Sequence, residues 1–203
     1  MLRVINQHGR ENKKMNIRKN ILWITRTAVL TALLVTMQFA TAAFGNQFIT
    51  GSIVNLMLIV SLLTCGPATG LTVAIISPMC ASLVGVGPAF PPLIPFIALG
   101  NIVFVAAWTL LGLANKHDKT GISYKVIGFL SAVAAAAAKF LTLYASVVLL
   151  AIPYILNLNE KQSAMLTLSF SYPQLITATI GGIIALAVVP PVQKAIKSRY
   201  MAA

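Results

Sequence analysis

Residues 125–156 read KVIGFLSAVAAAAAKFLTLYASVVLLAIPYIL. A bilayer core is crossed by about 20 apolar residues, so this stretch is long enough to span one. It carries a single charge inside the apolar run, Lys139. A bare ammonium at that depth costs roughly a few kcal/mol, so the side chain is expected to face a cavity or a partner rather than lipid.

The rest of the chain fits that reading. Its 203 residues are 58% hydrophobic and only 9% charged, with a mean hydropathy of +0.88. That composition excludes an ordinary soluble domain and indicates an all-α integral membrane protein. The net charge of +12 comes from 15 Lys+Arg against 3 Asp+Glu. A basic chain can signal nucleic acid. Here the basic residues sit in the tails and loops beside apolar runs, so membrane orientation accounts for them and no nucleic-acid partner is expected. Cys65 and Cys80 lie in apolar segments and read as small buried hydrophobes. Metal-ligand spacing is absent.

Six spans are expected, in a domain covering 21–190 between basic tails at 1–20 and 191–203. The amino-terminal tail, with Arg3, Arg10, Lys13, Lys14, Arg18 and Lys19, resembles the start of a signal peptide. The apolar run after it is too long for one, so it reads as a retained helix. Met15 is an alternative start. The first helix is placed at about Ile21 to Ala43 and followed by a loop, FGNQFITGS (44–52). The second, about Ile53 to Cys65, is short and broken by Gly66-Pro67. The third runs from about Ala68 to Gly85, with Pro78 as a kink. A loop, VGPAFPP (86–92), precedes the fourth, about Leu93 to Ala114. A polar connection, NKHDKTGISY (115–124), leads into the fifth, the stretch quoted above, with distortion near Pro153. The loop NLNEKQS (157–163) follows. The sixth begins at Leu166 or Pro173 and ends at Val189, stopped by Pro190-Pro191.

Charge sets the orientation. With the tail inside, the cytoplasmic segments hold the six tail bases together with Arg26, Lys116, Lys119, Lys125, Lys194, Lys197 and Arg199. The outer loops hold only Lys161, offset by Glu160. Both termini are therefore expected in the cytoplasm. Trp23 and Tyr124 then mark the inner interface and Tyr154 the outer one.

Within the spans, polar residues gather at one depth. At about 1.5 Å per residue, Lys139 lies roughly 20 Å from the inner end of the fifth helix. By the same rise, Asn101 is roughly 12 Å below the outer end of the fourth. Gln38 comes late in the first helix, Asn55 early in the second and Gln174 near the outer start of the sixth. Lys139, Thr142 and Ser146 share a helix face. The alanine run 134–138 before them suits close packing. One-sided polarity fits a pocket open to the outside rather than a pore. Interhelical hydrogen bonding explains any one Asn or Gln equally well; the shared depth favours a site. A start at Pro173 would make Gln174 a first-turn residue near the surface.

The three acidic residues, Glu11, Asp118 and Glu160, and both histidines, His8 and His117, lie outside the spans. That leaves no catalytic residues, no metal site and no cofactor to expect, and no intramembrane carboxylate to couple protons or sodium. There is no nucleotide motif either. The chain is equipped to bind a solute and not to power its movement. Ala28 and Ala32 in the first helix form a small-xxx-small pair, suited to close helix contact or to internal packing. Gly66 and Gly70 make a second smooth region.

These features, with GSIVNLMLIVSLL, ISPMCASLVG, PFIALGN and PQLITATIGGIIAL, resemble the substrate-binding S components of energy-coupling factor (ECF) transporters. The matching traits are six spans, the alanine pair after a basic tail, a long first outer loop and outward polar residues. The resemblance covers roughly Ile21 to Lys197. It implies capture of a vitamin or related micronutrient at the outer face, then docking on a coupling transmembrane subunit joined to two ATPases. It implies that Ala28 and Ala32 contact that subunit. ATP hydrolysis on the partners would topple the loaded protein in the membrane. It also implies a pocket lined by the outer loops and helices four to six. Asn101, Lys139, Thr142 and Gln174 then become substrate-binding candidates, with Gln38, Asn55 and Gln47 beside them. The loop with Phe44, Gln47 and Phe48 would be its lid. Lys139 suggests an anionic substrate, because a buried cation gains from a carboxylate or phosphate. A stand-alone carrier and a non-transport assembly protein remain open as alternatives.

Overall fold

The structure, a computed structural model, describes the backbone at residues 2–114 and 122–201 and side chains at 16–112 and 126–195. All regular elements among the described residues are helical. They are α1 (Leu2–Ala42), α2 (Gln47–Cys65), α3 (Pro67–Leu83), α4 (Ile94–Ala114), α5 (Ile122–Leu143), α6 (Glu160–Ser169) and α7 (Tyr172–Met201). A 3-10 turn, Pro91–Leu93, leads into α4, and a π-helical segment, Tyr144–Ala151, extends α5 to a last turn at Ile152–Tyr154. Five helical stretches are long and apolar enough to cross a membrane. The other apolar helix, Pro67–Leu83, has 17 residues. The connection expected at 115–124 falls largely outside the described residues, as does the Tyr124 side chain.

Local chemistry explains most boundaries. Asn46 caps α2, its side chain accepting from the Phe48 N–H, as an N-cap asparagine does for the unpaired first-turn donors. This cap moves the start of α2 back to Gln47. The long first outer loop expected at 44–52 is therefore a four-residue link, and Gln47 and Phe48 are helical. Gly66 adopts φ +94° between α2 and α3, a left-handed region that a side chain disfavours, and Pro67 then opens α3 without wasting a donor. Pro78 lies inside α3.

Distortion near Pro153 takes the form of the π-helical segment. A helical proline cannot donate to the carbonyl four residues back, and its ring crowds it. Here the preceding turns widen, and the Ile152 N–H donates to the Val147 carbonyl, five residues away. Asn159 and Gln162 then form a capping box that starts α6 at Glu160, so part of the expected 157–163 loop is helix.

The last helix corrects two expectations. It begins at Tyr172, beside the later of the two starts considered, because Phe170 and Ser171 interrupt the chain. It does not stop at Pro190-Pro191; both lie inside α7, which continues to Met201. Proline's fixed φ is itself helical, and the residues beyond favour helix. Gln193 also ties this turn to α2, its Nε2 donating to the Leu63 carbonyl at 2.6 Å. At the other end, α1 reaches back to Leu2, so helix replaces a separate tail there.

Helices α2, α3, α4, α5 and α7 pack in a ring, and α1 flanks it against α2 and α3. The main core holds Leu34, Leu58, Phe104, Trp108 and Ala135. Within the alanine run 134–138, Ala135 and Ala136 are fully buried, Ala137 and Ala138 are half-buried and Ala134 is exposed, so only part of the run packs closely. A second cluster around Leu93, Leu143, Val147 and Phe170 packs the π segment against the loop before α4 and the end of α6. Cys65 and Cys80 are free thiols, half-buried rather than buried.

Candidate functional site

Three helices meet at Lys139. Its side chain is 3% exposed. The Nζ donates to Asn55 Oδ1 at 2.6 Å and to Asn101 Oδ1 at 2.7 Å, and it lies 5.5 Å from the centroid of the Phe104 ring. These contacts bind α5 to α2 and α4. An ammonium has donors only, so both amide oxygens must turn toward it. That fixes the orientation of each amide, which geometry alone often leaves ambiguous. The Asn55 Nδ2 donates in turn to Thr177 Oγ1 at 3.4 Å, and Thr177 donates to the Gln174 carbonyl, drawing in α7. Amide dipoles and a ring face take the place of a carboxylate counter-ion.

The close approach of α2 to α7 makes this node possible. A Cβ built on Gly181 would meet Ser52 O at 2.6 Å and Asn55 Cβ at 2.7 Å. Glycine at 181 therefore lets the α7 backbone lie directly on the turn that carries Asn55.

The node forms part of the wall of a cavity of about 550 Å³. Its wall is mostly apolar. Gln38, Gln47, Asn55, Asn101, Lys139 and Gln174 all line it. Thr142, expected beside them, does not; its hydroxyl donates to the Ala138 carbonyl at 2.8 Å within α5. Ser146 does the same to Thr142 O. The glutamines bond to backbone carbonyls. Gln47 and Gln174 both donate to Ser169 O, at 2.7 and 3.1 Å, tying α2 and α7 to the end of α6. Gln38 donates to Val86 O at 3.1 Å. Gln174 is indeed a first-turn residue, and it still reaches the cavity. Of the three residues assigned to a lid, Gln47 lines the cavity while Phe44 and Phe48 are outside its wall.

Sequence reading missed three contributors. Phe104 supplies the ring beneath the ammonium. The short helix α6 supplies Gln162 and Met165 to the wall. Ser77 on α3 also lines the cavity, and the Ser77-Pro78 step was the only signal of it. Among the described residues no group of three or more His, Cys, Asp or Glu stands close enough to hold a metal ion.

A separate groove of about 840 Å³ runs between α1 and α3. Ala28 and Ala32 are exposed and line it, so their pair faces outward and is not part of the core. Thr27 and Thr31, 5% and 6% exposed, line it too.

A family model described as ECF transporter, substrate-specific component, matches residues 22–193. No curated protein and no solved structure matches the chain.

Proposed function

The chain belongs to the family of ECF transporter substrate-specific components, and from that premise we propose that it captures a vitamin or related micronutrient for import, binding it in the cavity above Lys139. The observation that carries this reading is the buried ammonium held by two amide oxygens in the cavity wall. A cation there, with no acid among the described residues of the wall, gains from an anionic solute. Gln38, Gln47, Asn55, Asn101, Lys139 and Gln174 are the substrate-binding residues in this reading, while the Thr142 hydroxyl is taken up by the Ala138 carbonyl.

The membrane arrangement belongs to the same proposal. Six helices cross the bilayer, with the 17-residue α3 as the sixth span, and both termini lie in the cytoplasm. The transmembrane domain covers 21–190, with basic segments at 1–20 and 191–203. Its cavity then opens outward, through the end that carries the α1–α2 link and α6. The α1 groove with Ala28 and Ala32 docks the coupling transmembrane subunit. ATP hydrolysis belongs to two partner ATPases and not to this chain. Support comes from the family and from the basic residues of the tails and the 115–125 connection.

Purification in mild detergent, denaturation and mass spectrometry of the released small molecules test the reading. A stoichiometric vitamin-like solute is expected. Its loss from Lys139→Ala, with the protein still folded, is expected as well. A folded protein that releases nothing and binds no vitamin would sink the capture role. Equal binding by Lys139→Ala would remove Lys139 from it.

A further inference from the structure

Ser77 is 1% exposed and lines the cavity, and its hydroxyl has no hydrogen-bond partner among the described residues. Buried helical hydroxyls usually donate to the carbonyl of the preceding turn. Ser61 does so to Met57 O, and half-buried Thr109 to Val105 O, each at 2.7 Å; Thr27, Thr31 and Ser52 share the unpartnered state, but none of them lines this cavity. The Ser77 hydroxyl makes no such bond to the Val73 carbonyl. A buried hydroxyl without a partner is destabilising, so its position in a cavity wall points to a ligand atom as the partner.

Its depth places it with the node. Ser77 lies about 9 Å from the Leu83 end of α3, Asn101 about 10 Å from the Ile94 end of α4 and Asn55 about 12 Å from the Gln47 end of α2. All three ends are on the same side of the bundle, because the α3–α4 link joins two of them and α2 runs alongside. The Lys139 ammonium spends two donors on amide oxygens and keeps a third. An amide that turns its oxygen to the ammonium turns its N–H2 group the other way, which describes Asn101. The floor of the cavity therefore presents donors: an ammonium N–H, an amide N–H2 and a hydroxyl.

We propose that Ser77, Asn101 and Lys139 form one seat for a single carboxylate, so that the captured solute is a monocarboxylate and Ser77 on α3 determines specificity for it. This rests on the capture reading above. A carboxylate is acceptor-only and takes charge-assisted hydrogen bonds from several donors at once. Lys139 is the only charged side chain among the described residues that line the cavity. One positive charge balances one carboxylate, whereas a phosphate dianion would carry a second, unbalanced charge into a mostly apolar cavity.

The test uses the full chain in detergent, as parent and as Ser77→Ala. Released solute is identified by mass spectrometry. Thermal shifts are recorded with nicotinate, biotin and pantothenate, each beside its neutral amide or alcohol. The expected result is a carboxylate-bearing solute on the parent, stabilisation by an acid and not by its neutral analogue, and at least tenfold weaker binding by Ser77→Ala. The ligand-free Ser77→Ala protein is expected to melt no lower than the parent, since only an unpaired hydroxyl is removed. A neutral solute, equal response to the amide, or unchanged binding by Ser77→Ala would overturn the seat and leave solute capture standing. A lower melting point of ligand-free Ser77→Ala would show the hydroxyl to be structural and overturn its role. A parent that releases nothing and responds to no compound would overturn capture and the seat together.

Discussion

Lys139 is stable in its place because two amides and a ring share the work that water would do. Desolvating a charge is tolerable only when its donors are met, and here two are met by oxygens 2.6 and 2.7 Å away. The arrangement also keeps the positive charge available, since neither asparagine neutralises it. Asn101→Asp should therefore separate stability from binding. It puts a carboxylate where the amide oxygen sits, forms an internal ion pair, and should leave the melting temperature equal or higher. Binding of an anionic solute should fall at least tenfold, read by equilibrium binding of the released compound. Retained binding would show that the charge of Lys139 is not what the solute meets. The lysine was legible from sequence because one charge inside a long apolar run has few places to go. Thr142 was misjudged on the same helix face: three residues from Lys139, it satisfies its hydroxyl on its own backbone. Ser77 gave no comparable signal, since serine in an apolar helix is ordinarily self-satisfied.

At the level of elements, the site depends on how closely α2 and α7 approach. Gly181→Ala would drive a methyl into the Ser52 carbonyl and the Leu56 nitrogen, both main-chain atoms about 2.6 to 2.7 Å away. Neither can swing aside as a flexible side chain would. The helices must separate, at a cost of about 1–3 kcal/mol, and Asn55 moves with α2. A lower melting temperature and weaker solute binding are expected together in this variant. Gly45→Ala, where nothing lies within 4 Å of the added Cβ, tests strain alone, because its φ of +60° is also unfavourable to alanine. It should lower stability with less effect on binding. The all-helical character and the order of the apolar segments were readable from hydropathy, but the short helix α6 and the helix ends were not. Asn46 looked like loop composition and is a cap. Pro190-Pro191 looked like a terminator and is carried through by the helix around it.

For the whole molecule, the two concave surfaces share no lining residue and serve different partners in the proposed function. The cavity uses helices from the whole ring, whereas the groove uses only α1 and α3. Filling the groove should therefore leave capture intact. Ala28→Leu with Ala32→Leu, both at exposed positions, is expected to bind solute within about twofold of the parent while losing co-purification with the coupling subunit and solute uptake in reconstituted vesicles. Uptake at the parental rate would move the docking face elsewhere. Small-residue spacing left helix contact and internal packing equally open in the sequence; the exposure of Ala28 and Ala32 depends on α1 lying outside the ring.

The tie between Lys139 and its two asparagines also bears on how the chain is made. Synthesis runs from the amino terminus, so Asn55 and Asn101 are laid down before Lys139. When the fifth hydrophobic segment leaves the ribosome, both acceptors already belong to helices that precede it. The most costly residue to insert thus enters last of the three and finds its receptors waiting. Reversing that order, by permuting the gene so that α5 is translated ahead of α2 and α4, should leave the finished contacts possible while lowering the yield of correctly inserted protein.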